Sequence, residues 1–234
     1  MRYFVASDIH GSYYWADKMM DRFEASGAKR MICLGDILYH GPRNDLPKDY
    51  EPKKVIELMN SIKDRVWAVR GNCEAEVDQM VLEFPVLADY AILALEDHTI
   101  FATHGHLYNE EKLPPIMSGD ILLHGHTHLP VCEKLPLKVE TGDSNIDKNI
   151  NNDSNNNSNN NSNNNSNNNS NNNSNNCNSS HTNSFYYHLN PGSVAIPKGG
   201  NPNSYAILED DVFSIYDFDG NVIKDIHLEI LRGV

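Results

Sequence analysis

The chain predicts an α/β fold in which two mixed β-sheets pack face to face and are flanked by helices. Three observations carry that reading. Five short β-branched or apolar runs each end in a block of metal-capable side chains: Asp8-Ile9-His10, Gly35-Asp36, Gly71-Asn72, His104-Gly105-His106 and Gly125-His126-Thr127-His128. The first two runs are separated by an amphipathic helical stretch, so strand, helix, strand opens a doubly wound unit. After Pro85 the texture changes to short runs broken by turn residues, as antiparallel pairing requires.

The elements follow in order. Residues 3–6 form a near-continuous apolar run, as a strand buried on both faces does, and lead into Asp8 and His10. Over 14–26, Trp15, Met19 and Phe23 recur at four-residue steps with Met20 beside them, and Gly27 closes the helix. Residues 31–34 lead into Gly35 and Asp36. Pro52 then starts a second helix in which Val55, Leu58, Met59 and Ile62 share a face. Residues 66–69 lead through Arg70 into Gly71 and Asn72, and 74–82 reads as a third, shorter helix ended near Pro85. Strands are expected at 91–95, 99–103, 121–123, 131–135, 185–189, 205–208, 212–216 and 222–230, with hairpin turns at Asp210-Asp211 and Asp219-Gly220. Ligands in open α/β sheets gather at the carboxyl ends of strands, so five strand ends should deliver O and N donors to one edge.

Residues 145–183 are almost entirely Asn and Ser and cannot bury a core. The expected organisation is a single domain over 1–234, interrupted by a disordered Asn/Ser-rich insertion at about 139–184. The tract falls between two strand-like runs that a tight hairpin could join. Because loop-closure entropy grows by only about 0.6 kcal/mol per doubling of length, we read it as a tolerated expansion in preference to a self-associating segment.

Asp8, His10, Asp36, Asn72, His104, His126 and His128 are hard or borderline donors that suit Mn, Fe, Co, Ni or Zn better than a thiolate site would. Seven ligands suffice for two divalent ions if one carboxylate bridges, and Asp36 is the natural bridge. Two cations about 3.5–4 Å apart can hold and deprotonate a water for in-line attack on phosphorus.

In this order, Asp-x-His, Gly-Asp, Gly-Asn-x-Glu, Gly-His and Gly-His-x-His resemble the calcineurin-like metallophosphoesterases. Residues 35–44, 70–74 and 190–202 most closely resemble the YfcE-type phosphodiesterase branch. The resemblance implies a four-layer metallophosphoesterase sandwich and hydrolysis of a small phosphodiester by a hydroxide bridging two ions, most often Mn²⁺. It also implies that Asp8, His10, Asp36 and His128 hold one ion and that Asp36, Asn72, His104 and His126 hold the other. The broader superfamily has His where this chain, like the YfcE-type branch, has Cys73. A thiol titrates near 8.5 and His near 6.5, so Cys73 is the poorer acid and aryl esters should turn over better than alkyl esters. Asp36, Asn72, Cys73 and, more weakly, His106 are therefore the candidate catalytic residues, and Arg43 and Asn44 on the Gly-Pro turn are candidates for phosphate oxygens. The segments 190–193 and 199–202 are expected to shape a substrate-facing wall. Tyr39 falls where purple acid phosphatases place an iron ligand, but the His that they lack is here as His10. Taken singly, His40, His98, His181, His188 and His227 read as hydrogen-bonded structural residues.

A formal net charge of −13 argues against a surface that tracks duplex nucleic acid. No run of 18 or more apolar residues is present, and the amino terminus enters a strand directly, so the expected setting is cytoplasmic and free of membrane. Cys33, Cys73, Cys132 and Cys177 show neither zinc-ribbon nor disulfide-framework spacing. Exposed edges in the second half would permit a homo-oligomer. The competing function is a protein-binding scaffold of the same fold, like the retromer subunit that resembles this family but has lost several of these side chains.

Overall fold

The computed structural model describes residues 1–95, 98–137 and 184–229. They build two sheets. One has the order β11-β10-β9-β1-β2-β3 and the other β4-β5-β6-β8-β7. In the first, β1 (Arg2–Ala6), β2 (Arg30–Cys33) and β3 (Val66–Ala68) are parallel, and β9 (Ser204–Glu209), β10 (Val212–Asp217) and β11 (Val222–His227) continue it antiparallel. In the second, β5 (Thr99–Thr103), β6 (Ile121–Leu123) and β8 (Phe185–Pro191) run parallel. Antiparallel edges are added by β4 (Tyr90–Ala94) and β7 (Pro130–Pro136).

Side-chain alternation sorts each strand between two cores. On β1, Phe4 and Ala6 face the helices, and Tyr3 and Val5 face the other sheet. On β5, β6 and β8, the residues Ile100, Ala102, Ile121, Leu123, Phe185, Tyr187 and Leu189 fill the space between the sheets; Phe101, Leu122 and Tyr186 point outward. Helix α1 (Tyr13–Ser26) is capped by the Ser12 side chain, which accepts from the Trp15 amide, and stops at Gly27 in the left-handed region (φ 68°). Its Ala16, Met19 and Phe23 join Val55 and Met59 of α2 (Pro52–Ser61) over the first sheet. Among the described residues the outer face of the second sheet is covered without a helix: Tyr108, Leu113 and Ile116, from the irregular segment after β5, lie on Phe101, Leu122 and Tyr186.

Two sequence expectations change. The third helix shrinks to α3 (Glu76–Gln79), because Glu74 is drawn out of it into the site described below. The strand expected at 222–230 ends at His227, and residue 230 lies outside the described residues. The Asn-rich insertion likewise falls outside them, but its flanks are informative. β7 and β8 pair from Pro130↔Pro191 to Pro136↔Phe185, and the Leu137 amide donates to Ser184 O at 2.9 Å. The chain thus leaves and re-enters the sheet at neighbouring positions, as a hairpin does. Among the described residues no helix is long and apolar enough to cross a membrane.

Candidate metal centre

All five ligand blocks converge, three from the first sheet and two from the second. Main-chain pairing continues past the strands: the amides of Asp8, His10 and Gly11 donate to the carbonyls of Gly35, Asp36 and Ile37 at 3.1, 2.8 and 2.8 Å. Across the sheets, the His126 amide donates to Asp8 Oδ2 (3.1 Å), and within the second sheet the Gly125 amide donates to His104 O (2.8 Å). At these strand ends Asp8, His10, Asp36, His126 and His128 all have φ between 50° and 66°. Asp and His tolerate the left-handed region better than most residues. It turns the chain sharply enough to aim neighbouring side chains at one point, and such strain accumulates where function over-determines the backbone.

The donor atoms close on two centres. Asp8 Oδ1 lies 3.2 Å from His128 Nε2 and 3.6 Å from His10 Nε2, and Asp36 Oδ2 lies 3.7 Å from His10 Nε2. Asp36 Oδ2 is also 3.4 Å from His104 Nε2, which approaches Asn72 Oδ1 at 3.1 Å and His126 Nδ1 at 3.2 Å. Asp36 therefore faces both groups, as the bridging role requires. Asp8, His10, Asp36, His104 and His128 are buried.

The ring orientations were not visible in the sequence. Nδ1–H of His10 donates to Tyr39 O at 2.7 Å, that of His104 to Leu34 O at 2.6 Å and that of His128 to Ile196 O. Each bond fixes the tautomer that leaves an Nε2 lone pair pointing inward, which is how proteins prepare histidines for a metal. Those lone pairs face carboxylates, and Asp8 Oδ1 is buried without a hydrogen-bond donor. A convergence of acceptors on a buried carboxylate is unfavourable unless cations occupy it. The donor set therefore fits two divalent ions.

The titration behaviour agrees. Burial disfavours charge on His104, but the hydrogen bond its ring donates to Asp36 and the charges of Asp8 and Asp36 outweigh it and push its pKa up to about 9. His10 moves up for the same reasons, with Asp8 as its main partner. Burial raises the Asp8 carboxyl, but the His10 and His128 rings beside it, once protonated in the absence of metal, override that and hold the group well below the usual carboxylate range. Without metal, protons gather where ions would sit.

Glu74 is the largest omission of the sequence reading. Buried under the site, its Oε2 accepts from the amides of Asp36 (2.8 Å) and Gly71, and its Oε1 from Ile37 N (2.7 Å). One carboxylate thus ties the end of β2 to the end of β3. Burial and the Asp36 charge push its pKa up, and the three amides oppose them. The approach is tight at Gly71, where a Cβ would stand 2.1 Å from Asp36 Oδ1. A Glu three residues after a Gly is compatible with an amphipathic helix, so only the fold reveals this contact.

The remaining expected residues divide. A cleft of about 350 Å³ is lined by His10, Asp36, Gly41, Pro42, Arg43, Asn44, Asn72, Cys73, His126, His128 and Lys198. Arg43 is exposed at its rim; Asn44 also lines it, but its amide nitrogen donates to His40 O at 2.8 Å. Cys73 is half-buried, and its amide donates to Asp36 Oδ1 at 2.9 Å. Burial first, and then the Asp36 charge, drive its thiol pKa strongly upward. His106 sits beside His104, at 5.5 Å between ring centroids, with a buried Nδ1 that has no hydrogen-bond partner among the described residues. Burial and the neighbouring His104 and His126 push its pKa down to about 4. Tyr39 contributes its carbonyl, and its ring packs on His40 instead of turning inward. The 190–193 segment does not face substrate: Asn190 and Ser193 are fully buried, holding Gly125 O (2.8 Å) and Asp8 O (3.0 Å) from behind. Lys198, within the quoted resemblance but assigned no role, supplies a second cation to the cleft.

Residues 1–143 match the Calcineurin-like phosphoesterase superfamily domain. The chain is 40% identical over 215 residues to Phosphodiesterase YfcE of Escherichia coli (strain K12), covering 92% of this chain and 91% of the relative. The solved structure of YfcE, described as a phosphoesterase from E. coli, superposes with a TM-score of 0.74 at 38% identity, covering 98% of this chain and all of that one. Vps29 from Entamoeba histolytica, at 16% identity and a TM-score of 0.50 over 98% of this chain and 100% of its own, shares the fold alone.

Proposed function

Because the chain belongs to the calcineurin-like phosphoesterase superfamily, we propose that it hydrolyses a small phosphodiester with two divalent ions. Asp8, His10, Asp36 and His128 would hold one ion, and Asp36, Asn72, His104 and His126 the other. When bound, such a pair supplies Lewis-acid charge to the phosphoryl oxygens and lowers the pKa of a water to near neutrality. The observation that carries the reading is the convergence of histidine lone pairs on Asp36 and on the otherwise unpartnered Asp8 Oδ1. A binding scaffold has no need of that arrangement, so the scaffold alternative is set aside.

The protein's own groups have separable tasks. The carbonyls of Tyr39, Leu34 and Ile196 orient the ligand rings, and Glu74 fixes the spacing of Asp36 from the Gly71-Asn72 turn. Arg43 and Lys198 flank the cleft and would bind the nonbridging phosphate oxygens, Arg43 as a fork and Lys198 as a point charge. Asn72 has its Nδ2 3.3 Å from Cys73 Sγ and both line the cleft, where they would meet the leaving group. The upward shift of Cys73 keeps the thiol protonated but makes it a weak proton donor. The His106 ring stays neutral near pH 7 and can only accept or relay a proton. Strong acid catalysis is therefore missing, and diesters with acidic leaving groups are the favoured substrates. The family admits Mn²⁺, Fe²⁺, Co²⁺, Ni²⁺ or Zn²⁺, and we assign Mn²⁺ first on the resemblance.

Hydrolysis of bis-p-nitrophenyl phosphate with Mn²⁺ tests the proposal. Activity should need metal and vanish in Asp36→Ala and His104→Ala; activity unaffected by either change would falsify the metal mechanism. Equal rates on nitrophenyl and simple alkyl diesters would contradict the role given to Cys73.

A further inference from the structure

Outside the seven-ligand cluster, Glu110, His124 and His188 bring three donor atoms together on the far side of the second sheet. His124 Nε2 and His188 Nε2 lie 2.6 Å apart, their rings stacked at 4.8 Å with an interplanar angle of 14°. Glu110 Oε2 stands 3.6 Å from the first and 3.7 Å from the second. We propose that these three side chains form a separate metal centre, which takes one Zn²⁺ or a similar borderline divalent ion.

The tautomer of His124 is fixed by its main-chain neighbour. Its Nδ1 approaches Gly125 O at 3.0 Å. A carbonyl only accepts, so Nδ1 carries the hydrogen and Nε2 presents a lone pair toward His188. For His188 two arrangements remain. If its Nε2 carries the hydrogen, it donates to His124, but its Nδ1 is left as a buried lone pair without a donor, turned toward the Glu133 carboxylate at 4.0 Å. If Nδ1 carries the hydrogen, that charge contact is favourable and a second Nε2 lone pair points at the first. Glu110 adds a carboxylate oxygen to the same point. Three acceptors then converge with no donor among them, and a cation resolves the conflict.

The donor types and spacing suit zinc. Zn–N and Zn–O bonds of about 2.0–2.2 Å put tetrahedral ligands roughly 3.4 Å apart. The two Glu110 distances already match, and the histidine pair needs to open by less than about 1 Å. His124 and His188 are buried and fixed on or beside neighbouring strands, whereas Glu110 is more than a third exposed, so water can complete the shell. Two imidazoles and one carboxylate favour Zn²⁺ or Co²⁺ over Mn²⁺.

The position gives the centre a use. Glu110 belongs to the helix-free segment after β5, which starts with His104 and His106; in that segment Asn109 Nδ2 donates to Gly105 O at 3.1 Å. His124 packs directly under the segment, with Nδ1 only 2.7 Å from where a Gly105 Cβ would stand. An ion joining Glu110 to β8 would clamp that segment onto the sheet and hold His106 in place.

Zinc per chain, measured by elemental analysis after equilibrium dialysis of the full chain against Zn²⁺, tests this directly. Glu110→Gln and His188→Gln should each bind one ion fewer than the parent. Cobalt loading should give the parent an intense tetrahedral visible band that is reduced in both variants. Glu110 is exposed, so its variant leaves the core undisturbed. Asp36→Ala should lose ions from the other cluster and keep this one, so the result stands whether or not the phosphodiesterase reading does. A zinc content unchanged in either the Glu110 or the His188 variant overturns the centre and leaves a hydrogen-bonded histidine pair.

Discussion

Replacing Glu74 by Gln tests how far the proposed metal ligands depend on a residue outside the ligand sets. Glu74 accepts from three main-chain amides, those of Asp36, Ile37 and Gly71. Gln is isosteric but has one accepting oxygen, so its NH₂ must face at least one of these N–H groups. One charge-assisted bond, worth about 1.5–3 kcal/mol, is lost outright, and those that remain become neutral. Removing a negative charge near Asp36 offsets part of that loss, because Asp36 already pushes the Glu74 pKa up. The net expectation is about 2–4 kcal/mol of destabilisation, which for a domain of this size lowers Tm by roughly 5–15 °C. The kinetic effect should be larger in proportion. The freed amides let Asp36 and the Asn72 turn separate, and a misplacement of about 1 Å can cost roughly 100-fold in rate. Calorimetry and steady-state hydrolysis of bis-p-nitrophenyl phosphate at saturating Mn²⁺ read the two effects. A Glu74→Gln protein with Tm within about 1 °C of the parent and unchanged kcat would refute the claim that this carboxylate sets the ligand spacing.

Three further outcomes follow from the same geometry. In Gly125→Ala the new methyl would stand 1.8 Å from Ser7 Oγ and 2.9 Å from Asp8 Oδ2, so metal content should drop and the chelated protein should also melt lower; full occupancy would show that the loop yields instead. In metal-free protein the raised pKa of His104, about 9, contributes stability that is complete below its unfolded value near 6.5 and is lost as pH rises through 9, whereas the depressed Asp8 and Asp36 contribute stability that is lost as pH falls below about 4. Tm of chelated protein should therefore peak between about pH 4 and 6.5 and fall toward 9, while metal affinity rises over that upper range because loading must displace the His104 proton; a flat Tm from pH 6 to 9 would contradict the assignment. Replacing residues 138–183 by a short turn should leave Tm and turnover nearly unchanged, since Leu137 and Ser184 are already hydrogen-bonded to each other, and a large loss in either would give the Asn-rich tract a structural role.

The strands and the candidate ligand residues were legible because both have local signatures. Period-two burial follows from the pleat, so Tyr3 and Val5 part from Phe4 and Ala6 as their alternation requires. The helix over 13–26 announced itself through Trp15, Met19, Phe23 and Gly27. The reading was misled where local pattern and long-range contact compete. Residues 74–82 carry a helical pattern, but three amides from the ends of β2 and β3 claim Glu74 first. His188 alone suggested a satisfied core histidine, and the stack with His124 and the reach of Glu110 become visible only when β6 and β8 lie side by side.

By itself, then, the sequence determined which atoms could bind metal and which runs would deliver them, because residue type and hydrophobic period are properties of short segments. The tertiary structure alone decided the geometry that brings those atoms together: left-handed backbone at five of the seven candidate ligands, ring tautomers set by Tyr39, Leu34 and Ile196, and the Glu74 tie. These depend on main-chain groups, which are the same in every residue and leave no mark on composition or spacing. Their partners lie tens of residues away, and only folding brings them within the 3 Å or so over which a hydrogen bond acts.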